Sequence, residues 1–294
     1  MILVFGSINL DLIFDMEALP APGETRLARA MRTEPGGKGA NQAVAAARDG
    51  AEVALYGAVG QDPFANPAQA GLELAGVDVW GVDAVAGATG VASIVTDASG
   101  RNAIAVAPGA NLKARQDKVP DEFLDAATIV LLQMECDAAE TVRLISRASA
   151  AGARVILNLA PAADLPLEAL KKTFLIVVNE QEAAFLADRV GRPADAASIA
   201  DALGVGVLRT LGAEGSEACV GGATHRVAAH AVKAIDTTAA GDCFVGVLAS
   251  GLDRGLDLES AMTRASVAAA LACTKRGSQG SLPDAAEIDA ALKG

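Results

Sequence analysis

Short apolar runs recur along the chain at residues 2–5, 53–58, 128–134, 155–159, 174–178 and 207–210. Runs this brief and predominantly apolar read as buried strands. Between successive runs, the stretches 138–151 and 180–187 carry apolar stripes at helical spacing. Such a strand–helix rhythm predicts an α/β fold: a mostly parallel central sheet with helices on both faces. Toward the C-terminus, 240–252, 258–273 and 285–292 read as helices. The loop Lys275-Arg276-Gly277-Ser278-Gln279-Gly280-Ser281 is too polar and glycine-rich for a core element. Residues 8–32 and 91–106 break the rhythm with strand-like segments, the second followed within its hairpin by the turn signal Asp97-Ala98-Ser99-Gly100. They form either a small β lid beside the main body, drawn from about 8–35 and 88–108, or ordinary surface hairpins. With no repeat and no low-complexity linker, 1–294 reads as a single domain.

Composition supports a large core and narrows the partners. Hydrophobic residues make up 52% of the 294 and charged residues 20%, while aromatics are only 3%, so small side chains are available for close packing of helices on a sheet. A net charge of -12 argues against general nucleic-acid binding. It does not forbid phosphates at a local site made of backbone amides and a bound cation. Cys136, Cys219, Cys243 and Cys273 form no C-x-x-C pair, which argues against a zinc ribbon or thioredoxin motif and suits a reducing, cytoplasmic setting. Residues 1–6 lack a basic stretch and the first charge is Asp11, so the start reads as a strand rather than a signal peptide. No apolar run reaches 18 residues, and no membrane span is expected. His225 and His230 are five apart, not the spacing of a helical metal pair, so a histidine-based hydrolase is poorly supported.

Three glycine-bearing segments carry candidate chemistry. Asp236-Thr237-Thr238-Ala239-Ala240-Gly241-Asp242 opens a helix. Its small residues let backbone approach a ligand, and free N–H groups at a helix start attract anionic charge. Asp242, in the first turn, can accept a proton at the same spot; an acidic residue that merely stabilises a helix start would look alike. Pro35-Gly36-Gly37-Lys38-Gly39-Ala40-Asn41-Gln42-Ala43 opens another helix, with Lys38 and Asn41 able to face one polar ligand. It is neither a Walker A loop nor G-x-G-x-x-G, and alone it also fits a plain turn with a solvated lysine. In Gly6-Ser7-Ile8-Asn9-Leu10-Asp11, Asn9 and Asp11 point the same way in extended chain and match adjacent sugar hydroxyls, or else form a polar turn. Glu135 and Asn179 follow predicted strands, where open α/β sheets bind ligands. Asn179 and Glu182 also have capping-box spacing. The turn Thr210-Leu211-Gly212-Ala213-Glu214-Gly215 could lie against a nucleotide phosphate or be only a turn.

Together these segments resemble the ribokinase family of carbohydrate kinases, from Gly6 to about Asp289, with the Gly36–Ala43 and Asp236–Asp242 segments in that order as the specific pair. The resemblance implies a nine-stranded α/β sandwich with a β lid, often a dimer clasp. It implies ATP-dependent phosphorylation of a sugar, D-ribose at the 5-hydroxyl foremost, with deoxyribose, 2-keto-3-deoxygluconate or fructose as alternatives. It makes Asp242 the base and Ala239, Ala240 and Gly241 the anion hole. Asn9, Asp11, Gly37, Lys38, Asn41 and Glu135 would hold the sugar. Asn179, Thr210, Gly212, Gly215, Gly241 and Ser266 would surround ATP, and Glu182 would order water around Mg²⁺. Asp236, Thr238, Ala272, Lys275, Gly277 and Ser281 match a K⁺ site made largely of carbonyls. The chain departs from the family pattern at Ala65 (usually Gly), at Val247 (usually small) and at Ser266, where a family member can have an adenine-stacking histidine. A non-catalytic sugar sensor of the same fold would be expected to lose the base or anion hole, and both are present. A dinucleotide oxidoreductase lacks its fingerprint here.

Overall fold

The computed structural model describes residues 1–98 and 101–293. In chain order, β1 (Ile2–Phe5), β2 (Asn9–Asp15) and β3 (Ala30–Gly36) lead into α1 (Lys38–Arg48) and β4 (Val53–Gly60). Then come α2 (Ala65–Leu74), β5 (Asp78–Val85), β6 (Gly90–Thr96) and β7 (Asn102–Ala107). The next stretch holds β8 (Ile129–Leu132), α3 (Ala138–Ala150), β9 (Arg154–Asn158), the one-turn α4 (Leu167–Leu170), β10 (Leu175–Val178), α5 (Glu180–Val190) and α6 (Ala196–Leu203). The chain closes with β11 (Gly206–Thr210), β12 (Ser216–Val220), β13 (Ala223–Val227), α7 (Ala240–Asp253), α8 (Leu258–Ala272) and α9 (Ala285–Lys293).

Nine strands form one sheet in the order β13-β12-β11-β10-β9-β8-β1-β4-β5. It is parallel from β5 to β11, and only β12 and β13 run antiparallel at one edge. Strand alternation explains its double-sided burial. On β1, Ile2 and Val4 join the core formed with α1, α7 and α8, whereas Leu3 and Phe5 join the core on the other face, under α3, α5 and α6. All four are at most 1% exposed. Each such side chain contributes about 1.5–3 kcal/mol of burial, so the centre of the sheet is the rigid part of the molecule. Val247, the departure on α7, is fully buried in this core.

The regions that broke the rhythm pair with each other as a second sheet, β3-β2-β6-β7. β2 and β6 are parallel, and the two outer pairs are antiparallel. Of the turn signal between β6 and β7, Ser99 and Gly100 lie outside the described residues. The run expected at 128–134 is strand only over Ile129–Leu132, because its last residues turn toward the site. β5, β12 and β13 add strands that periodicity did not mark. They sit at or near the edges, with partly exposed, mixed polar residues in place of a continuous apolar run. Among the described residues no helix is long and apolar enough to cross a membrane.

Candidate active site

The carboxyl ends of β1, β8, β9 and β10 and the N-termini of α1 and α7 converge on one edge of the main sheet, where ligands of open α/β sheets bind. Local backbone chemistry sets the two helix tips. Gly37 precedes α1 at φ 90°, which an L side chain rarely adopts. Gly39 passes so close to the Gly6–Ser7 backbone that an added Cβ would lie 2.5–2.6 Å from it. At the other tip, Ala239 sits in the left-handed region at φ 57° without being glycine, and no side chain caps α7. The Ala240 N–H donates to Thr237 O at 3.3 Å, and the Gly241 and Asp242 N–H groups remain for a ligand.

Asp242, in that first turn, is 9% exposed. Its Oδ2 accepts from Asn41 Nδ2 and its Oδ1 from Gln42 Nε2, both at 3.0 Å. Lys38 opens α1, and its backbone N–H donates to Glu135 Oε2 at 3.1 Å. The same Glu135 oxygen accepts from Ser7 Oγ at 2.6 Å. Asp242 above all, then Glu135 and Glu182, hold the Lys38 ammonium charged and above its ordinary range against the opposing effect of burial. One lysine is thus surrounded by carboxylates from three elements, an arrangement suited to a phosphoryl group that brings its own negative charge.

The predicted sugar residues come together at the base of the second sheet. Asn9 and Gly36 are register partners, as are Asp11 and Glu34. Asn9 Oδ1 is taken by Asn111 Nδ2 at 2.8 Å, which leaves the Asn9 amide to donate outward. Asp11 is buried, and its Oδ1 has no partner. Burial, followed by the Glu135, Glu34 and Asp242 charges, pushes Asp11 up to about 7. A buried carboxylate lacking donors is a site prepared for hydroxyl groups.

Three cavities meet around Thr237. One of about 550 Å³ is lined by Thr210, Gly212, Gly215, Gly241 and Ser266, together with Phe244 and small apolar residues of α8. One of about 240 Å³ is lined by Lys38, Asn179, Glu182, Gly241 and Asp242. The third, about 890 Å³, lies between the second sheet and residues 234–239, with Arg29, Arg32 and Arg276 on its walls. Thr237 lines all three. Asn179 caps α5 in a complete capping box with Glu182, and both residues line the 240 Å³ cavity. Burial pushes Glu182 up, and Asp242 adds to this, opposed by the Asn179 N–H and Lys38. A cation beside it would relieve that cost.

Among the described residues no group of three or more His, Cys, Asp or Glu is placed to hold a metal. A site built of carbonyls is a different matter. Asp236 is tied to the 272–281 loop: its Oδ2 accepts from Gly277 N at 3.1 Å, and its N–H donates to Cys273 O at 3.2 Å. Although burial works against it, hydrogen bonds from Thr238 Oγ1, Thr238 N and Gly277 N hold Asp236 below the usual carboxylate range. The Ala272 carbonyl already accepts from Lys275 N, and Ser281 Oγ donates to Ser278 O. The remaining lone pairs on this loop are all oxygen, the donor type that hard monovalent cations prefer.

Sequence reading assigned no role to Gln42, Gln133, Asn158, Asn111, Ser7, Gln279 or Thr237. Gln42 alone carried a usable signal: an amide set among alanines on the buried face of α1.

The chain matches the family model described as pfkB family carbohydrate kinase over residues 1–285. It is 32% identical over 306 residues to a ribokinase of Schizosaccharomyces pombe, covering 98% of this chain and 96% of that one. It is 34% identical over 294 residues to a deoxyribokinase of Salmonella typhi, covering 96% of this chain and 95% of that one. Its fold superposes with a TM-score of 0.89 and 31% identity on the Arabidopsis thaliana ribokinase complexed with ribose and ATP, over 100% of this chain and 98% of that one.

Proposed function

The chain belongs to the pfkB family of carbohydrate kinases, and from that premise we propose that it transfers the γ-phosphoryl group of ATP to the 5-hydroxyl of D-ribose. The observation that carries this reading is the position of Asp242. Its carboxylate is held beside Lys38 at the uncapped tip of α7, next to the two cavities that Gly241 and Thr237 share.

In this reading the sugar lies against Asn9, Asp11, Gly37, Asn41 and Glu135. The Asp11 carboxylate accepts two adjacent hydroxyls, and the Asn9 amide donates to another oxygen. Asp242 takes the proton of the primary hydroxyl, which attacks the phosphorus in line and expels ADP. The amides of Ala239, Ala240 and Gly241, with the Lys38 ammonium, stabilise charge on the transferring group. The nucleotide occupies the 550 Å³ cavity bounded by Thr210, Gly212, Gly215 and Ser266. Asn179 and Glu182 line the smaller pocket beside it, where Glu182 would hold Mg²⁺ through water and the ion would neutralise phosphate charge. Asp236, Thr238 and the carbonyls of Ala272, Lys275, Gly277 and Ser281 would hold K⁺, adding positive potential behind the anion hole. The second sheet would act as the lid that excludes water, and its exposed face as the contact in a homodimer. The four cysteines, free in the structure, fit a cytoplasmic enzyme.

Deoxyribose is the competing acceptor, named by the Salmonella typhi relative. A coupled ADP assay with D-ribose, 2-deoxyribose and D-fructose, each with and without K⁺, tests the assignment. The expected result is the highest kcat/KM for ribose and stimulation by K⁺. A kcat/KM for deoxyribose above that for ribose would replace the acceptor, and no turnover of any sugar would defeat the reading.

A further inference from the structure

Gln42 lies one residue beyond Asn41 on α1 and is fully buried. Its Nε2 donates to Asp242 Oδ1 and to Asn158 Oδ1, each at 3.0 Å. Its Oε1 accepts from Gln133 Nε2 at 2.7 Å. Which end of an amide faces which neighbour is normally open to inversion, but here it is not. Asn158 Nδ2 donates to the backbone carbonyl of Val177 at 3.2 Å, and a carbonyl of β10 cannot become a donor. That contact turns Asn158 Oδ1 toward Gln42. Gln42 must then present its NH₂ to both Asn158 and Asp242, and its carbonyl to Gln133. The polarity of the whole chain of amides is therefore set by the main sheet and ends at the carboxylate.

Asn41 is oriented in the same way from the opposite side. Gln279 Nε2 donates to Asn41 Oδ1 at 3.2 Å, so the Asn41 NH₂ faces Asp242. Consecutive residues of α1 thus grip one oxygen each of Asp242. Facing the same carboxylate are Lys38 from α1, Asp11 from β2 and Glu182 from α5. Two of those three are acidic, so the amide donors on both oxygens hold the carboxylate in place beside groups that repel it. Both oxygens are held at fixed positions, leaving their free lone pairs directed at the pocket.

We infer that Gln42 is a positioning residue for the base, holding the Asp242 carboxylate correctly turned through a polarised Val177–Asn158–Gln42–Gln133 amide chain. The inference rests on Asp242 being the base. Gln42 touches neither reactant, and its effect passes through one hydrogen bond. Losing that bond slows the chemical step while sugar and nucleotide still bind.

The test compares Gln42→Met, Gln133→Met and Asp242→Asn with the native protein, using steady-state kinetics from pH 5 to 9 and thermal unfolding. Gln42→Met is expected to lower kcat about 10²-fold, with KM for ribose and ATP within about threefold, and to move the acid limb of the kcat profile to higher pH. Gln133→Met keeps both donors on Asp242 but removes the bond that ties down the Gln42 carbonyl, so the amide is held less firmly. A loss of about fivefold with the same direction of pH shift is expected, and this variant decides the matter should Gln42→Met not fold. A merely structural role would scale kcat equally at every pH, and an unchanged profile in both variants overturns the inference. Native-like kcat in Asp242→Asn would instead remove the base itself. An inactive Asp242→Asn beside a native-like Gln42→Met would leave the base and refute only its positioning.

Discussion

In the nine-stranded sheet, β1, β4, β8 and β10 are buried at every residue. In the four-stranded sheet, β7 is exposed at every residue, and Leu27, Met31 and Ile104 nearby are 93%, 59% and 56% exposed. The two sheets nevertheless meet along a buried seam, where Asn9 and Asp11 begin β2, the tip of α1 follows β3 and the Thr89 hydroxyl accepts from Gly60 N at the end of β4. The contrast separates two tasks. The chemistry sits on helix tips and strand ends that cannot move without unpacking the core. The covering sheet reaches it through its inner end, where Ser278 also ties Glu34 and Pro35 of β3 to the 275–281 loop. Substitution effects should therefore fall from the helix tip, to the base of the small sheet, to its outer face, and to the nucleotide cavity wall.

Asp242→Asn probes the rigid side most directly. It keeps the shape and one of the two amide contacts, sets two donors against each other at the second, and removes the proton acceptor. We expect kcat to fall about 10³-fold, with ribose binding by calorimetry retained. Near-native turnover would break the division, because the helix tip would then hold no essential chemistry.

Asp11→Asn tests the meeting point of the two sheets. Replacing the carboxylate should raise KM for ribose about 30-fold with a much smaller change in kcat, since hydroxyl bonds to a charged acceptor are lost. Stability should move the other way. With Asp11 pushed up to about 7 by burial and neighbouring carboxylates, the folded protein keeps a proton that the unfolded chain releases. The stability tied to that proton is fully present below about 3.8, declines across the interval and is gone above about 7. At pH 8 the sugar-free variant should therefore unfold at a higher temperature than the native protein. For the native protein, ribose affinity should rise with pH through about 7 as the carboxylate ionises. A variant less stable at pH 8, with unchanged KM, would mean that Asp11 is structural.

The outer face of the small sheet should matter for assembly and little for chemistry. Leu27→Glu with Met31→Glu places charge on exposed apolar residues in and beside β3 that do not line the cavity under the sheet. Sedimentation is expected to show self-association weakened at least about tenfold, with kcat changed by less than about threefold. A collapse of kcat in a still-folded double variant would show that the two sheets are not separable.

Much of this contrast was legible in the sequence, for unequal physical reasons. Fully buried strands such as 175–178 announce themselves because no polar residue interrupts them. The Gly36–Ala43 and Asp236–Asp242 segments are legible because close approach to a ligand restricts the residues allowed. β5 and β13 were not read, since edge strands exposed on one side carry residues such as Trp80, Gly81, His225 and Arg226 that mimic loop. Gln133, Asn158 and Asn111 were invisible as site residues. Each lies outside a glycine-rich segment, and each acquires its role from partners such as Gln42 and Asn9 that are 91 to 116 positions away. Spacing along a chain carries no record of such contacts until the sheet brings them together.

The smallest expected effect concerns the wall of the nucleotide cavity. Ser266 on α8 is 8% exposed, and its hydroxyl donates to Ala228 O and accepts from His230 N, both at a long 3.3 Å. These weak contacts tie the 228–234 segment over the cavity but leave mostly small apolar surface facing a base. Ser266→His exchanges them for an aromatic ring, and a ring stacked on adenine is worth about 1 kcal/mol. KM for ATP should fall about fivefold, with kcat and KM for ribose unchanged. Should KM for ATP instead rise while the fold persists, the tie from Ser266 to residues 228–230 outweighs stacking. The nucleotide cavity would then depend on order in its loop wall, as the sugar site depends on order in α1.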